Sequence, residues 1–255
     1  MRYFGQPRIF GQPLGVGSRG MGFAQYVASL NPSMWLPLTE TSGTNAADIS
    51  GNGIDGTYIN TPTLAGATLL GQPAPVFASA SSQNVQLDEV SLDAVFDADL
   101  GSMMIALNAS TAVWATAAQI YFMNIGVDNS NRVGLIKPFA NTIRLAIRYD
   151  GNGANSDYTV TAGDKDLWIL AFATWNKSAN RQRLYVKTTV DEDASATGNF
   201  TGTLTSAFTG VGGLTGGAFM DGALGTAALW TRELTASETA KGYTLFSSQE
   251  PNAAR

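Results

Sequence analysis

The sequence predicts an all-β fold in which two antiparallel sheets pack face to face as a sandwich or jelly roll. From Ser33 onward, short runs rich in β-branched, aromatic and aliphatic residues alternate with turns of Gly, Asn, Asp and Ser. Only 14% of the 255 residues are charged, whereas a solvated helix bundle is usually rich in Glu and Lys. At this length one core can bury about 70–75% of the unfolded chain's surface, so folding needs neither a metal nor a disulfide.

The first thirty residues differ from the rest and predict an arm. Phe-Gly-Gln-Pro occurs at positions 4–7 and again at 10–13, and Gly follows at 15, 17, 20 and 22. Gly and Pro at this density break helix and strand patterns, and they interrupt every apolar run of signal-peptide length. A disordered tail is one interpretation of residues 1–32, and an extended arm that docks on another protein is the one we favour. The side chains expected to dock are Phe4, Arg8, Ile9, Phe10, Leu14 and Arg19.

Charge is distributed unevenly between this arm and the body. The first 39 residues carry +3 from three arginines and no acidic residue, although the net charge of the chain is −5. An acidic body opposes non-specific binding to nucleic acid, and a basic arm suits an acidic protein surface. No run of about 18 apolar residues occurs, so the sequence predicts no membrane partner either.

Ten segments of the body have the composition of strands. Thr142–Tyr149 is the clearest, because aliphatic residues alternate with Arg144 and Arg148, as a strand with one buried face requires. Leu167–Trp175 is apolar at nearly every position, so we expect it to be covered on both faces. The predicted strands are Met34–Leu38, Val76–Phe77, Asn84–Leu87, Ser102–Asn108, Gln119–Gly126, Arg132–Lys137, Thr142–Tyr149, Leu167–Thr174, Gln182–Thr189 and Leu224–Trp230.

Turns and one helix complete the pattern. Gly51-Asn52-Gly53 and Asp150-Gly151-Asn152-Gly153 contain residues that adopt positive φ at low cost, so both segments are predicted turns. Thr235 and Glu238 have the spacing of a capping box, and apolar residues follow at helical intervals as far as Phe246. We therefore predict one short C-terminal helix that can pack on an edge of the sandwich. Residues 247–255 are interpreted as a loose tail.

Three segments of the body resemble laminin-G-like, concanavalin A-type jelly rolls. They are Trp35 to Tyr58, with its Ser50-Gly51-Asn52-Gly53 turn, then Leu167 to Val186, and then Phe219 to Glu238. The resemblance covers about residues 33–246 and implies that the first and last strands pair, with Trp35 and Trp230 in the core. It divides the chain into an arm (1–32), a jelly-roll domain (33–246) and a C-terminal tail (247–255).

The composition excludes several kinds of catalysis. The chain has no His and no Cys, so it lacks an imidazole base, a thiolate nucleophile and the usual zinc ligands. Glycosidases with the resembled fold use carboxylates spaced E-x-D-x-E on one strand, and this spacing does not occur. Asp191-Glu192-Asp193 are adjacent and would alternate faces in a strand, so we interpret them as an exposed acidic turn. We expect no enzymatic activity and no cofactor. A hydrolase with an unusual carboxylate arrangement is the weaker alternative.

A calcium ion is the one inorganic ligand that the resemblance suggests. Relatives often bind a structural cation near the opening turn, and Asp48, Asn52 and Asp55 supply oxygen atoms there. Relatives also carry an acidic pair ahead of the last strand, where this chain has Gly225-Thr226. That departure favours a turn without a metal over a cation site.

Carbohydrate binding is the activity that the resemblance suggests most readily. Sugar sites stack an exposed aromatic ring on a pyranose beside a few hydrogen-bonding groups. Trp114, in an Ala-rich segment, is the best candidate for an exposed ring, followed by Tyr121 and Tyr158. The alternative for Trp114 is an anchor at a protein interface.

Two functions are therefore expected. The first is a structural protein of a bacteriophage virion, such as a decoration, fibre or tail-surface component. It would assemble in the host cytoplasm, reside on the virion surface as a homo-oligomer and contact other virion proteins through the arm. The arm, the absence of an evident secretion signal and the Gly-, Ala- and Thr-rich composition motivate this hypothesis. The second is a lectin-like module that recognises a host-surface or extracellular polysaccharide.

Overall fold

The computed structural model describes residues 21–214 and 217–255, which form sixteen strands and four α-helices. The strands are β1 (Met34–Leu36), β2 (Asn45–Ala46), β3 (Gly56–Ile59), β4 (Thr63–Leu69), β5 (Gln72–Phe77), β6 (Asn84–Leu87), β7 (Leu100–Asn108), β8 (Ile120–Gly126), β9 (Arg132–Lys137), β10 (Thr142–Tyr149), β11 (Asn152–Thr159), β12 (Ile169–Asn176), β13 (Arg181–Val186), β14 (Thr189–Asp193), β15 (Gly210–Val211) and β16 (Gly222–Trp230). The helices are α1 (Phe23–Ser29), α2 (Glu89–Asp93), α3 (Thr111–Ala115) and α4 (Ala236–Gln249).

The strands form two antiparallel sheets of eight strands each, which confirms the predicted two-sheet sandwich. The first sheet has the order β14-β13-β12-β7-β16-β5-β4, with β1 paired to β16. The second sheet has the order β11-β10-β9-β8-β15-β6-β3-β2. Trp35 in β1 lies opposite Ala228 in β16, so the first and last strands pair as expected. The large sequence separation between partners makes this a jelly-roll arrangement rather than a simple meander.

The main core lies between the two sheets and follows from the alternation of the strands. In β10 the aliphatic residues Ile143, Leu145 and Ile147 are fully buried in this core, whereas Arg144 and Arg148 lie on the outer face. The hairpin that joins β10 to β11 turns at Asp150 and Gly151, whose φ values are 51° and 80°. Two consecutive positive φ values are those of a type I′ turn, which the Asp-Gly pair favours.

A second apolar cluster covers the outer face of the first sheet. Leu170 and Phe172 of β12 point away from the main core, and helices α1 and α4 cover them. The rings of Phe23 in α1 and Phe246 in α4 pack edge to face with centroids 5.4 Å apart. The prediction that this strand is covered on both faces is therefore confirmed. None of the helices in the described part of the chain is long and apolar enough to cross a bilayer.

Two predicted boundaries are wrong at the ends of the chain. Residues 23–29 were expected in the extended arm, but they form α1, because Phe23, Tyr26 and Val27 share a buried face. The predicted loose tail is also ordered: α4 continues to Gln249, and Ala253 pairs with Trp168 in a parallel bridge. Sequence reasoning missed both because the partner surface of each segment is remote in the chain. The expected docking residues Phe4, Arg8, Ile9, Phe10, Leu14 and Arg19 lie outside the described residues.

Candidate ligand-binding face

The outer face of the second sheet carries a polar pocket above β3 and β6. Alternation in β6 sends Val85 and Leu87 into the main core and sends Asn84 and Gln86 outward. The pocket has a volume of about 420 Å³. Its lining residues are Ile59, Asn60, Ser82, Asn84, Gln86, Gly217 and Phe219.

Two amide groups in this pocket, those of Asn84 and Gln86, are available to bind a ligand. Asn84 is only 4% exposed, and neither its side chain nor that of Gln86 makes a hydrogen bond to any residue that the structure describes. Because both side chains line the pocket, a ligand with hydroxyl groups can form hydrogen bonds with them, since an amide both donates and accepts.

The walls of this pocket are held by interactions beneath it. The buried Gln83 donates from Nε2 to the carbonyl oxygens of Asn60 and Thr61, both at 2.9 Å, and accepts from the N–H of Ala78 at 2.7 Å. The half-buried Phe219 supplies an aromatic ring to the lining. A Cβ atom at Gly213 would overlap that ring, so this glycine makes room for it. The pocket is therefore preformed, which lowers the entropy cost of binding.

A second pocket adjoins the first. It has a volume of about 290 Å³ and shares Gly217 with the larger pocket. Tyr121, Gln119 and Asn129 contribute its polar groups, and Phe208 and Leu214 contribute apolar surface. Gly217 thus lies between two polar pockets on one face of the sheet.

The predicted aromatic platform at Trp114 is wrong. The Ala-rich segment forms α3, which Ser110 caps through a 3.3 Å hydrogen bond to the N–H of Val113, and Trp114 lies on the inner side of this helix. The indole is fully buried in the main core and packs on Phe122 with ring centroids 5.9 Å apart. A five-residue helix has too few positions for its apolar face to be recognised from periodicity.

The two tyrosines that were expected to be exposed are also buried. Tyr158 donates from its hydroxyl to the carboxylate of Asp164 at 3.0 Å, and burial together with this carboxylate raises the pKa of the phenol far above its ordinary value. Tyr121 is 6% exposed, but it lies on the outer face, where Arg132 donates to its hydroxyl and stacks on its ring. Tyr121 lines the second pocket, but a ring this buried offers no open face on which a sugar could stack.

The residues proposed for a cation form a turn. The Asp48 carboxylate accepts from the N–H groups of Trp35, Ser50 and Ile54 at 2.8–2.9 Å, so both its oxygens face donors. Asp55 accepts from the N–H of Asp48 at 2.8 Å, and Asn52 donates to the carbonyl of Ser33 at 2.9 Å. Within residues 21–214 and 217–255, no group of three or more acidic side chains has the arrangement of a metal site. This geometry favours the turn alternative.

The expectation of an acidic turn at residues 191–193 is wrong, because they lie in β14, the edge strand of the first sheet. Glu192 forms an ion pair with Arg183. Asp191 instead accepts from the N–H of Asp157 in β11 at 2.7 Å, where the two sheets meet. Neighbouring carboxylates thus have different partners and do not converge on one ligand.

Sequence reasoning missed Asn84, Gln86 and Phe219 as a site. A signal was present, since the predicted strand Asn84–Leu87 alternates amides with aliphatic residues and so places both amides on one face. The third residue comes from a segment more than 130 residues later. Only the pairing of β15 with β6 brings the neighbouring segment to this strand.

Comparison with solved structures identifies proteins of the same fold. The crystal structure of the botulinum neurotoxin serotype D binding domain matches with a TM-score of 0.61 and 11% identity over 84% of this chain. The binding domain of botulinum neurotoxin DC in complex with rat synaptotagmin II matches with a TM-score of 0.59 and 11% identity over 88% of this chain. The serotype D ligand binding domain in complex with N-acetylneuraminic acid matches with a TM-score of 0.59 and 11% identity over 86% of this chain.

This chain spans about half the length of these structures, since it covers 51–52% of each. At such low identity the likeness establishes the fold alone. The chain is therefore a jelly-roll sandwich with the architecture of these binding domains. No family model and no curated protein sequence gives a significant match.

Proposed function

We propose that this protein is a non-catalytic, lectin-like binding module and that the pocket above β3 and β6 holds a sugar. The observation that carries the proposal is the pair of amides at Asn84 and Gln86, which have no protein partner in the described structure and line the same pocket as Phe219. Amides beside an aromatic ring are the groups that sugar sites use for hydroxyls and for the apolar face of a pyranose.

The chemistry of the pocket favours binding over hydrolysis. The described residues that line it include no carboxylate, so they supply hydrogen bonds and an apolar surface but no general acid. Its volume of about 420 Å³ lies within the range of small-molecule sites. The similar serotype D structure with N-acetylneuraminic acid supports a sugar-binding use of this fold.

Binding to a glycan array, followed by calorimetry on the best ligand, tests the proposal. Gln86→Ala removes one amide and is expected to weaken binding about tenfold, since one lost hydrogen bond to a buried partner costs about 1–3 kcal/mol. Gln72→Ala, an exposed Gln on β5 of the other sheet, is the matched control and should bind like wild type. The proposal would be contradicted if the wild-type protein bound no glycan on the array, or if the two variants had equal affinity for the best ligand.

Display on a bacteriophage virion is the finer hypothesis and rests on the sequence. Its docking residues lie in the first 20 positions, outside the described residues. Because α1 packs on the body, the segment available for attachment is shorter than the predicted arm of 32 residues. Attachment through residues 1–20, contact with other virion proteins, homo-oligomerisation and location at the virion surface stay predictions.

A further inference from the structure

Two arginines stand side by side on the outer face of the second sheet. Arg132 in β9 lies directly opposite Arg148 in β10 in the antiparallel register. The next positions along the same row are Gly126 in β8 and Gly153 in β11. Since glycine has no side chain, no neighbouring side chain in this row shields the two guanidinium groups.

Neither guanidinium has an acidic partner among the described residues. Other arginines in the protein do: Arg144 lies 2.6 Å from Asp157, and Arg181 lies 2.7 Å from Glu233. Like charges directly opposite one another in a sheet are destabilising. Burial lowers the pKa of Arg148 from its ordinary value, and the positive charges of Arg132 and Arg144 lower it further. The pair therefore lowers the stability of the fold. It is a local concentration of positive charge in a chain whose net charge is −5.

Uncharged oxygens hold both guanidinium groups in place. Arg132 donates to the hydroxyl of Tyr121 and, at 3.1 Å, to Oδ1 of Asn129, while its buried Nε–H has no partner in the described structure. Arg148 donates from Nη2 to Oδ1 of Asn155 at 3.0 Å.

The glycine beside Arg148 has a positional role. A Cβ atom at Gly153 would overlap the guanidinium group of Arg148, so glycine allows this placement. The two charges are fixed in position without being neutralised, which is the preorganised arrangement that an oxyanion requires.

We propose that Arg132 and Arg148 form a subsite for an oxyanion group, the carboxylate or sulfate of an acidic glycan. The choice of a glycan rests on the proposed function. Asn129, which accepts from Arg132, lines the smaller pocket, and that pocket shares Gly217 with the proposed sugar pocket. The anionic group of a polysaccharide therefore binds on the same face as its neutral residues.

The test compares three polymers of matched length: dextran sulfate, polygalacturonate and neutral dextran. Arg132→Gln and Arg148→Gln are each expected to weaken binding of an acidic polymer about tenfold, the cost of a lost charge-assisted hydrogen bond. Arg144→Gln is the matched control, because it lies on the same face of β10 but its charge is already paired with Asp157. It should reduce affinity less than twofold. The melting temperature of each variant verifies that it is folded.

The polymers distinguish the source of the anion, since preference for dextran sulfate indicates a sulfate ligand and preference for polygalacturonate a carboxylate ligand. Equal loss in Arg144→Gln would indicate a diffuse charge effect and overturn the inference. So would equal affinity for neutral dextran, competition by duplex DNA at the same concentration, or no binding to either acidic polymer. If binding of an acidic polymer depended on the two arginines but was unchanged by Gln86→Ala, the result would support this subsite and contradict the sugar pocket.

Discussion

At the scale of single residues, the carboxylate of Asp48 fixes the conformation of an entire loop. It ties the N–H of Trp35, in the first strand, to the N–H groups of Ser50 and Ile54 in the following turn. Gly51 and Gly53 in this turn have φ values of 95° and 71°, which glycine adopts without strain. The Ser-Gly-Asn-Gly sequence therefore supplies the backbone freedom, and the carboxylate selects one conformation.

Asp48→Asn is expected to destabilise the protein by about 2–3 kcal/mol, because an amide turns an N–H₂ group toward backbone donors that need an acceptor. Urea denaturation measures the change. Asp221→Asn is the control, since Asp221 is exposed, and its effect should stay within about 0.5 kcal/mol. If the wild type gained stability with added calcium and Asp48→Asn abolished that gain, the cation hypothesis for Asp48, Asn52 and Asp55 would replace the turn interpretation.

At the scale of elements, α1 and α4 behave as one layer on the first sheet. The hydroxyl of Tyr26 in α1 donates to the carbonyl of Glu238 in α4 at 2.8 Å. Helix α4 lies close to β12 at Gly242, where a Cβ atom would be 2.8 Å from the ring of Phe172. Helix α1 is therefore part of the body, and it covers apolar surface that the sheet would otherwise expose to water.

A pair of truncations tests this assignment. Removing residues 1–20 should leave the free energy of unfolding unchanged within about 0.5 kcal/mol. Removing residues 1–30 exposes the partners of Phe23, Tyr26, Val27 and Leu30 and should cost at least about 3 kcal/mol, since each buried apolar side chain contributes about 1.5–3 kcal/mol. Equal urea midpoints for the two truncated proteins would contradict the role of α1.

At the scale of the whole molecule, carboxylates paired with cationic side chains determine how stability responds to acid. The hydrogen bond from Arg232 lowers the pKa of Glu238 from 4.5 to about 2. Arg181 likewise lowers the pKa of Glu233, and Lys187 and Thr161 outweigh burial to lower that of Asp164. Each folded-state pKa lies below its unfolded value, so each pair stabilises the protein above the unfolded pKa and loses this contribution as the pH falls through the folded value.

The free energy of unfolding should therefore fall as the pH decreases from 4.5 toward 2. The chain has no His, so stability should stay nearly flat between about pH 5.5 and 8. Glu238→Gln should remove about 1 kcal/mol at neutral pH, a value reduced by solvent screening, and should flatten the acid slope. Urea denaturation across pH measures both effects. A slope in the variant as steep as in the wild type would contradict the assignment to Glu238.

The sequence by itself determined several strands rich in aliphatic residues and the turn that begins at Asp150. β9 and β10 have the predicted bounds, and Thr235 and Glu238 form the predicted capping box. These features depend on residues within a few positions of one another. β4 was missed because Thr63–Leu69 shows no alternation, and its burial pattern is mostly exposed.

Only the tertiary structure decided which surface each element covers. It placed Trp114 inside the core, made α1 part of the body, and brought Phe219 to the amides of Asn84 and Gln86. It also set Arg132 opposite Arg148, and neither forms an ion pair with a carboxylate of the described residues. The physical reason is that periodicity along the chain specifies which face of an element is apolar, whereas burial and free hydrogen-bonding groups depend on the remote segment that packs against that face.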